Sequence, residues 1–169
     1  PVTRAMSEIA GSTTMLIAAE YLSSTTQGKG IILGGITGVP PTKVVILGAG
    51  TVAEYAAKVA LGLGADIKIF DREVSRLQRI KYALGQNVYT SIIDSDTLAD
   101  AIERADVVIG AIRGRNGQGL CVVTEDMIGR MQENSIVIDV CIDQGGCFET
   151  SKLTNHKNPV FKHLGVIHY

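Results

Sequence analysis

The stretch KVVILGAGTVAEYAAKVALGLGADIKIFD, residues 43–71, constrains this chain more than any other. Val44 to Leu47 is a continuous run of apolar, mostly β-branched residues, as suits a parallel strand covered on both faces. Gly48-Ala49-Gly50-Thr51-Val52-Ala53 follows, the spacing G-x-G-x-x-G/A. In that spacing the first glycine permits a tight turn, the second lets backbone approach a pyrophosphate, and the small sixth residue lets helix and strand pack closely. Val52, Ala56, Val59 and Leu63 then form one helical stripe, read as facing the sheet, and Gly62 and Gly64 close the helix. Asp66 to Phe70 is a second strand, ended by Asp71 about twenty residues beyond the turn, where a carboxylate can accept ribose hydroxyls. The helix start between them offers unpaired N–H groups and roughly half a positive charge to a phosphate. Strand, turn, helix, strand and acid occurring in order predict a dinucleotide site.

The remaining chain extends this pattern. Ser7 to Ser23 reads as a helix capped by Ser7, with Ile9, Thr13, Leu16, Ile17 and Tyr21 as its stripe and Gly11 as a weak point. Residues 24–41 read as loop, short strand (Ile31 to Leu33) and loop. Val74 to Leu84 is a helix and Asn87 to Ser91 a third strand. Ser95 or Asp96 caps a helix to about Arg104 with Leu98, Ile102 and Ala105 inward. Asp106 to Ala111 is a fourth strand, and Arg113 to Gly119 a basic, glycine-rich loop. Thr124 caps a short helix, Ser135 to Ile142 is a fifth strand, and Gly165 to Tyr169 a sixth. Strands alternating with helices imply an α/β fold: a Rossmann-type, doubly wound parallel sheet of order 3-2-1-4-5-6, three layers with helices on both faces. Residues 1–169 read as a single domain, with 1–42 its N-terminal helix and connecting loop.

Composition narrows the class. With 46% hydrophobic and 20% charged residues and a net charge of -1, the chain has the makings of one soluble core and no polybasic run for nucleic acid or anionic membrane. No apolar run is long enough for a bilayer span and no signal peptide opens the chain, so a cytoplasmic protein is expected. Cys121, Cys141 and Cys147 lack metal-ligand spacing and read as free thiols. Pro1, in a helix approach without a Met, and Tyr169, directly after a strand-like run, suggest a piece excised from a larger protein.

Candidate chemistry lies at strand ends. In the run from Val137 to Asp143, alternation puts Asp139 and Asp143 on one face, about 13 Å apart at 3.3 Å per residue, too far for a shared proton. Asp139, inside an apolar strand, reads as a hydrogen-bonded structural acid. Asp143, at a carboxyl end and followed by Gln144-Gly145-Gly146, reads either as a group beside a nicotinamide ring or as a turn-forming acid. Arg72 and Arg76 read as adenosine contacts or as solvated helix charges, because Asp71 would repel a 2′-phosphate. The loop from Arg113 to Gly119 reads as a pyrophosphate contact or an exposed turn. His156, His163 and His168 show no ligand-like spacing.

Met6-Ser7-Glu8-Ile9-Ala10-Gly11, Gly34-Gly35-Ile36-Thr37-Gly38-Val39, the Gly48 to Ala53 turn with Asp71, and Ile142-Asp143-Gln144-Gly145-Gly146-Cys147-Phe148-Glu149 together resemble the NAD-binding domain of bacterial L-alanine dehydrogenases. The last motif separates them from the related proton-translocating transhydrogenases. The resemblance implies reversible oxidative deamination of L-alanine to pyruvate and ammonia with NAD, in a homo-oligomer, a hexamer. It also implies a catalytic role for Asp143 near the nicotinamide, a cofactor-contacting Ser7, a ribose-binding Asp71 and a basic Arg76 near the adenosine. The cofactor-binding set is then Ser7, Gly48, Gly50, Thr51, Val52, Ala53, Asp71, Arg76, Ala111, Ile142 and Asp143, with no metal. The resemblance further implies that the substrate-binding Lys and catalytic His belong to a separate flanking domain, so this chain alone is expected to bind NAD without turnover. Departures are the basic segment Arg113 to Gly119, where family members carry an apolar one with proline, and the absence of a serine within Ile92-Ile93. Two other readings remain: the NAD(H)-binding domain of a transhydrogenase, and a non-catalytic NAD-sensing module.

Overall fold

The computed structural model describes residues 1–114 and 120–169. Its elements are α1 (Val2–Ser23), β1 (Lys43–Leu47), α2 (Thr51–Gly62), β2 (Asp66–Asp71), α3 (Val74–Leu84), β3 (Tyr89–Ile92) and α4 (Ser95–Arg104). There follow β4 (Val107–Gly110), α5 (Glu125–Gly129), β5 (Ile136–Asp139), β6 (Phe161–His163) and β7 (Val166–His168). The strands form one sheet in the order β3-β2-β1-β4-β5-β7-β6. All neighbours are parallel except β6, which pairs antiparallel with β7.

Period-two alternation along the central strands builds a core on each face. Val44, Ile46, Val107, Ile109, Ile136 and Ile138 point into the layer of α1, α2 and α3. Val45, Leu47, Val108 and Val137 point into the layer carrying α4 and α5. Register aligns these residues in rows, Val44 with Val107 and Val107 with Ile136. Continuous β-branched runs are therefore what a sheet covered on both sides requires.

The helices correct the expected details. α1 begins at Val2, so Ser7 lies inside it and is no cap; its hydroxyl donates to Thr3 O at 3.0 Å. Its buried residues are Gly11, Thr14, Met15, Ala18 and Leu22, whereas Ile9 and Leu16 are 66% and 62% exposed. Gly11 does more than weaken the helix. A Cβ there would collide with Val52 O and lie 3.0 Å from Tyr55 Cβ, so glycine lets α1 rest on the first turn of α2. The inward face of α2 is likewise made of small residues, Ala53, Ala56, Ala57 and Ala60, while Leu63 faces outward. Asp94, not Ser95 or Asp96, caps α4: its Oδ2 accepts from Thr97 N at 3.1 Å and Thr97 Oγ1 at 2.8 Å. Such a cap is worth about 1 kcal/mol. Thr124 caps α5 through Met127 N at 3.3 Å, as expected.

Three strand expectations change. Ile31 to Leu33 joins no sheet, and the loop is closed by a bridge between Ile36 and Val39. The fifth strand stops at Asp139, because the Asp139 side chain turns back on the chain and Ile142–Gln144 winds into a 3₁₀ turn. Asp139 and Asp143 therefore do not share one extended strand, and the spacing argument for them fails. The strand expected sixth is β7 beside β5, and β6 is an added antiparallel edge.

Candidate functional site

The carboxyl ends of the central strands meet in one row. Phe70 pairs with Leu47, Leu47 with Gly110, and Gly110 with Asp139. The residues that follow, Asp71, Gly48, Ala111 and Val140, therefore open onto a single edge. There the strand order reverses between β1 and β4, the place where open α/β sheets hold ligands.

The two glycines of the turn have different reasons to be glycine. Gly48 has φ +112°, and a Cβ on it would lie 2.5 Å from Ala111 O. It is held by its N–H donating to Phe70 O at 2.7 Å, while Ala111 N donates to Leu47 O at 2.8 Å. Gly50, at the helix start with φ −90°, would place a Cβ with nothing within 4 Å among the described residues. Packing among the described residues does not require glycine there, and the volume they leave over the helix N-terminus is the room a phosphate needs. Ala53 is fully buried, as close helix–sheet packing requires.

Asp71 is 2% exposed. Its Oδ2 accepts from Ala49 N at 3.0 Å and its Oδ1 from Glu73 N at 2.9 Å. An ionised carboxylate offers about four acceptor sites, so both oxygens can still take hydroxyl donors. Arg72, Arg76 and Arg113 line the same small crevice as Asp71. Arg76 is half exposed and pairs with Glu73 at 3.5 Å. Residues 115–119 of the basic loop lie outside the described residues.

Arg79 is a residue that sequence reasoning missed. From α3 its guanidinium donates to Ala49 O at 2.7 Å and to Glu54 Oε1 at 2.8 Å, bracing the turn from behind. Glu54, in the first turn of α2, also pairs with Lys58 at 3.1 Å. Burial pushes the Glu54 carboxyl up, but the hydrogen bonds from Arg79 and Lys58 outweigh it and hold it below the ordinary range. Its signal was the spacing of Arg76 and Arg79 on α3, of which only Arg76 had been linked to the acid.

At the other end of the row, Asp143 sits exposed in the 3₁₀ turn after β5. Gln144 beside it has a buried Oε1 with no hydrogen-bond partner among the described residues. Asp139 is buried and fully bonded, accepting from Cys141 N, Cys147 N and Ser151 Oγ, as a structural acid should. The histidines lie elsewhere. His168 is buried on β7, with Nε2 2.7 Å from Thr150 Oγ1, and His163 pairs with Glu125 at 3.0 Å. The cysteines are free thiols. No group of His, Cys, Asp and Glu suited to a metal exists among the described residues, and no helix among them is long and apolar enough to cross a membrane.

Parallel sheet, reversal point, glycine turn and terminal acid define a Rossmann-type domain. Its sequence identifies the family: the chain belongs to the alanine dehydrogenase/PNT C-terminal domain family, which matches residues 14–169. It is 41% identical over 170 residues to an alanine dehydrogenase of Methanococcus maripaludis and 42% identical over 170 residues to alanine dehydrogenase 2 of Staphylococcus aureus. Both alignments take in 100% of this chain and 46% of the relative, so the chain spans about half the length of these relatives. Among solved structures, an L-alanine dehydrogenase superposes with a TM-score of 0.94 at 39% identity, over 100% of this chain and 47% of that one. A transhydrogenase from Sinorhizobium meliloti shares the fold, with a TM-score of 0.79 at 23% identity, over 99% of this chain and 47% of that one.

Proposed function

We propose that this chain is the NAD-binding half of an alanine dehydrogenase, which converts L-alanine to pyruvate and ammonia. The observation that carries the reading is the contrast between the two turn glycines. Gly48 is required by the fold itself, whereas Gly50 borders a volume over a helix N-terminus that no described residue fills. Bound NAD supplies the hydride acceptor. The Gly48 to Ala53 turn, including Thr51 and Val52, holds the pyrophosphate, Asp71 the adenosine ribose, and Arg76 the adenosine. Ala111, Ile142 and Asp143 line the nicotinamide end, and Ser7 contributes from α1.

Support for this arrangement comes from the common edge onto which Asp71, Gly48, Ala111 and the Asp143 turn open. The Gln144 Oε1, without a hydrogen-bond partner among the described residues, suits a carboxamide N–H. Asp143, exposed and able to hold or pass a proton, serves the reacting amine. Binding the substrate carboxylate and completing proton transfer fall to the flanking domain. The longer enzyme is proposed as a cytoplasmic homo-hexamer, which rests on the family resemblance and which sedimentation analysis tests.

The experiment is a pair of assays on the same samples. The full-length enzyme should form NADH from NAD in the presence of L-alanine, and this chain alone should bind NAD and form none. Alanine-dependent NADH from the chain alone would overturn the division of labour between domains.

A further inference from the structure

The proposed role of Asp143 depends on where its turn sits, and the turn has little stiffness of its own. Gly145 and Gly146, at φ +105° and +79°, form its exit. Glycine backbone of this kind is permissive, so something else must hold it.

Asp139 does so. Its Oδ1 accepts from Cys141 N at 3.0 Å, and its Oδ2 accepts from Cys147 N at 2.9 Å and from Ser151 Oγ at 2.6 Å. One carboxylate thus ties the residue entering the turn to the residue leaving it. The loop is closed further by Gly146 N donating to Cys141 O at 2.9 Å. The anchor itself is fixed to the sheet: Asp139 pairs with Gly110 of β4, and its own N–H donates to Tyr169 O at 3.0 Å. Gly146 leaves room for the carboxylate, since a Cβ there would lie 2.6 Å from Oδ2.

We infer that Asp139 is a positioning residue of the nicotinamide end, clamping residues 141–147 so that Asp143 meets the reacting atoms. This rests on the catalytic reading of Asp143 given above. The chemistry requires an acid at 139. Two backbone N–H groups and a hydroxyl converge on it, and only a carboxylate accepts at both atoms without presenting a donor. An amide keeps one acceptor and turns its NH₂ toward a second donor. Because the clamp lies at one end of the cofactor, far from the adenosine-binding acid, it should govern turnover and leave most cofactor affinity intact.

The test uses the full-length enzyme with Asp139→Asn, Ser151→Ala and Asp143→Asn, measuring kcat, KM for NAD, and amide hydrogen exchange. Asp139→Asn should lower kcat about a hundredfold, the scale of a misplaced catalytic group, with KM for NAD within about threefold. The amide left facing the NH₂, that of Cys141 or of Cys147, should lose protection while those of Ile136 to Ile138 keep theirs. Ser151→Ala, which leaves both backbone contacts, should stay within about threefold of wild-type kcat. Wild-type kcat in Asp139→Asn, or lowered kcat with both amides still protected, would overturn the proposal. If Asp139→Asn fails to fold, Gly146→Ala takes its place, because its methyl displaces the same carboxylate; the same split is expected, and wild-type kcat overturns the inference. Wild-type turnover in Asp143→Asn would remove the catalytic reading of Asp143, while the exchange data would still decide whether Asp139 holds the turn.

Discussion

The carboxylate of Asp71 accepts the backbone N–H of Ala49 at 3.0 Å, so the acid that ends β2 and the glycine turn that ends β1 are fixed to each other. The group proposed to hold the ribose also shapes the turn proposed to hold the pyrophosphate. Its negative charge should repel a 2′-phosphate, giving NAD an advantage of about tenfold or more over NADP. Calorimetric titration with both cofactors checks this. Equal or tighter NADP binding would mean that Arg72 and Arg76 dominate the crevice.

Gly48→Ala should damage the fold. It combines a φ of +112° with a Cβ 2.5 Å from Ala111 O, whereas Gly85, at φ +67°, would place its Cβ in open space. Gly85→Ala should cost about 1 kcal/mol, the left-handed backbone penalty, and Gly48→Ala clearly more. Denaturant unfolding of the two variants compares them directly. Equal costs would show that strand β4 yields easily at Ala111.

Arg79→Met should leave the Glu54 carboxylate, 6% exposed, with Lys58 as its remaining partner. The lost pair is half open to solvent on the arginine side, so the expected destabilisation is on the order of 2 kcal/mol rather than the larger cost of a fully buried pair. NAD affinity should also fall, because Ala49 O loses its brace. Thermal melts with and without NAD separate the two effects, and an unchanged melting temperature would argue that Arg79 is not structural.

The layers and the site differ in how far they can be read from residues. Val44 to Leu47 and Val107 to Ile109 announce a covered parallel sheet because β-branched runs have few other uses, and the turn with Asp71 follows from fixed spacing. Helix orientation was harder. α1 buries Gly11, Met15, Ala18 and Leu22 and exposes Ile9 and Leu16, since close approach to α2 at Gly11 turns inward a face that mixes small and large residues. Strand β6 is three residues, Phe-Lys-His, with no alternation to detect. The end of β5 is set by the Asp139 side chain reaching Cys141 and Cys147, two and eight residues on, bonds that the apolar alternation of the strand does not reveal.

Burial pushes the His168 imidazole pKa down, against the hydrogen bond to Val166 O. The carbonyl can only accept, so Nδ1 carries the proton and Nε2 accepts from Thr150. The unfolded chain then binds a proton more readily than the fold below about pH 6.5. Stability should be fully present above that value and decline as pH falls toward the lowered folded pKa. Glu54, also lowered, adds its loss only below its ordinary carboxylate range. Melting temperatures at pH 7.5 and about 5.5 should differ in the wild type and differ less in His168→Gln. An equal difference in both would assign the effect to other groups.

NAD is proposed to lie over the turn between β1 and α2, and Gly50 is the residue on which that placement depends. A Cβ there meets no atom of the described residues within 4 Å, so Gly50→Val should fold as the wild type does, with an unchanged melting temperature. Calorimetric titration of NAD into both proteins should give saturable binding in the wild type and none in Gly50→Val, because the added methyls occupy the volume reserved for the pyrophosphate. A folded Gly50→Val protein that binds NAD with wild-type affinity would contradict the account.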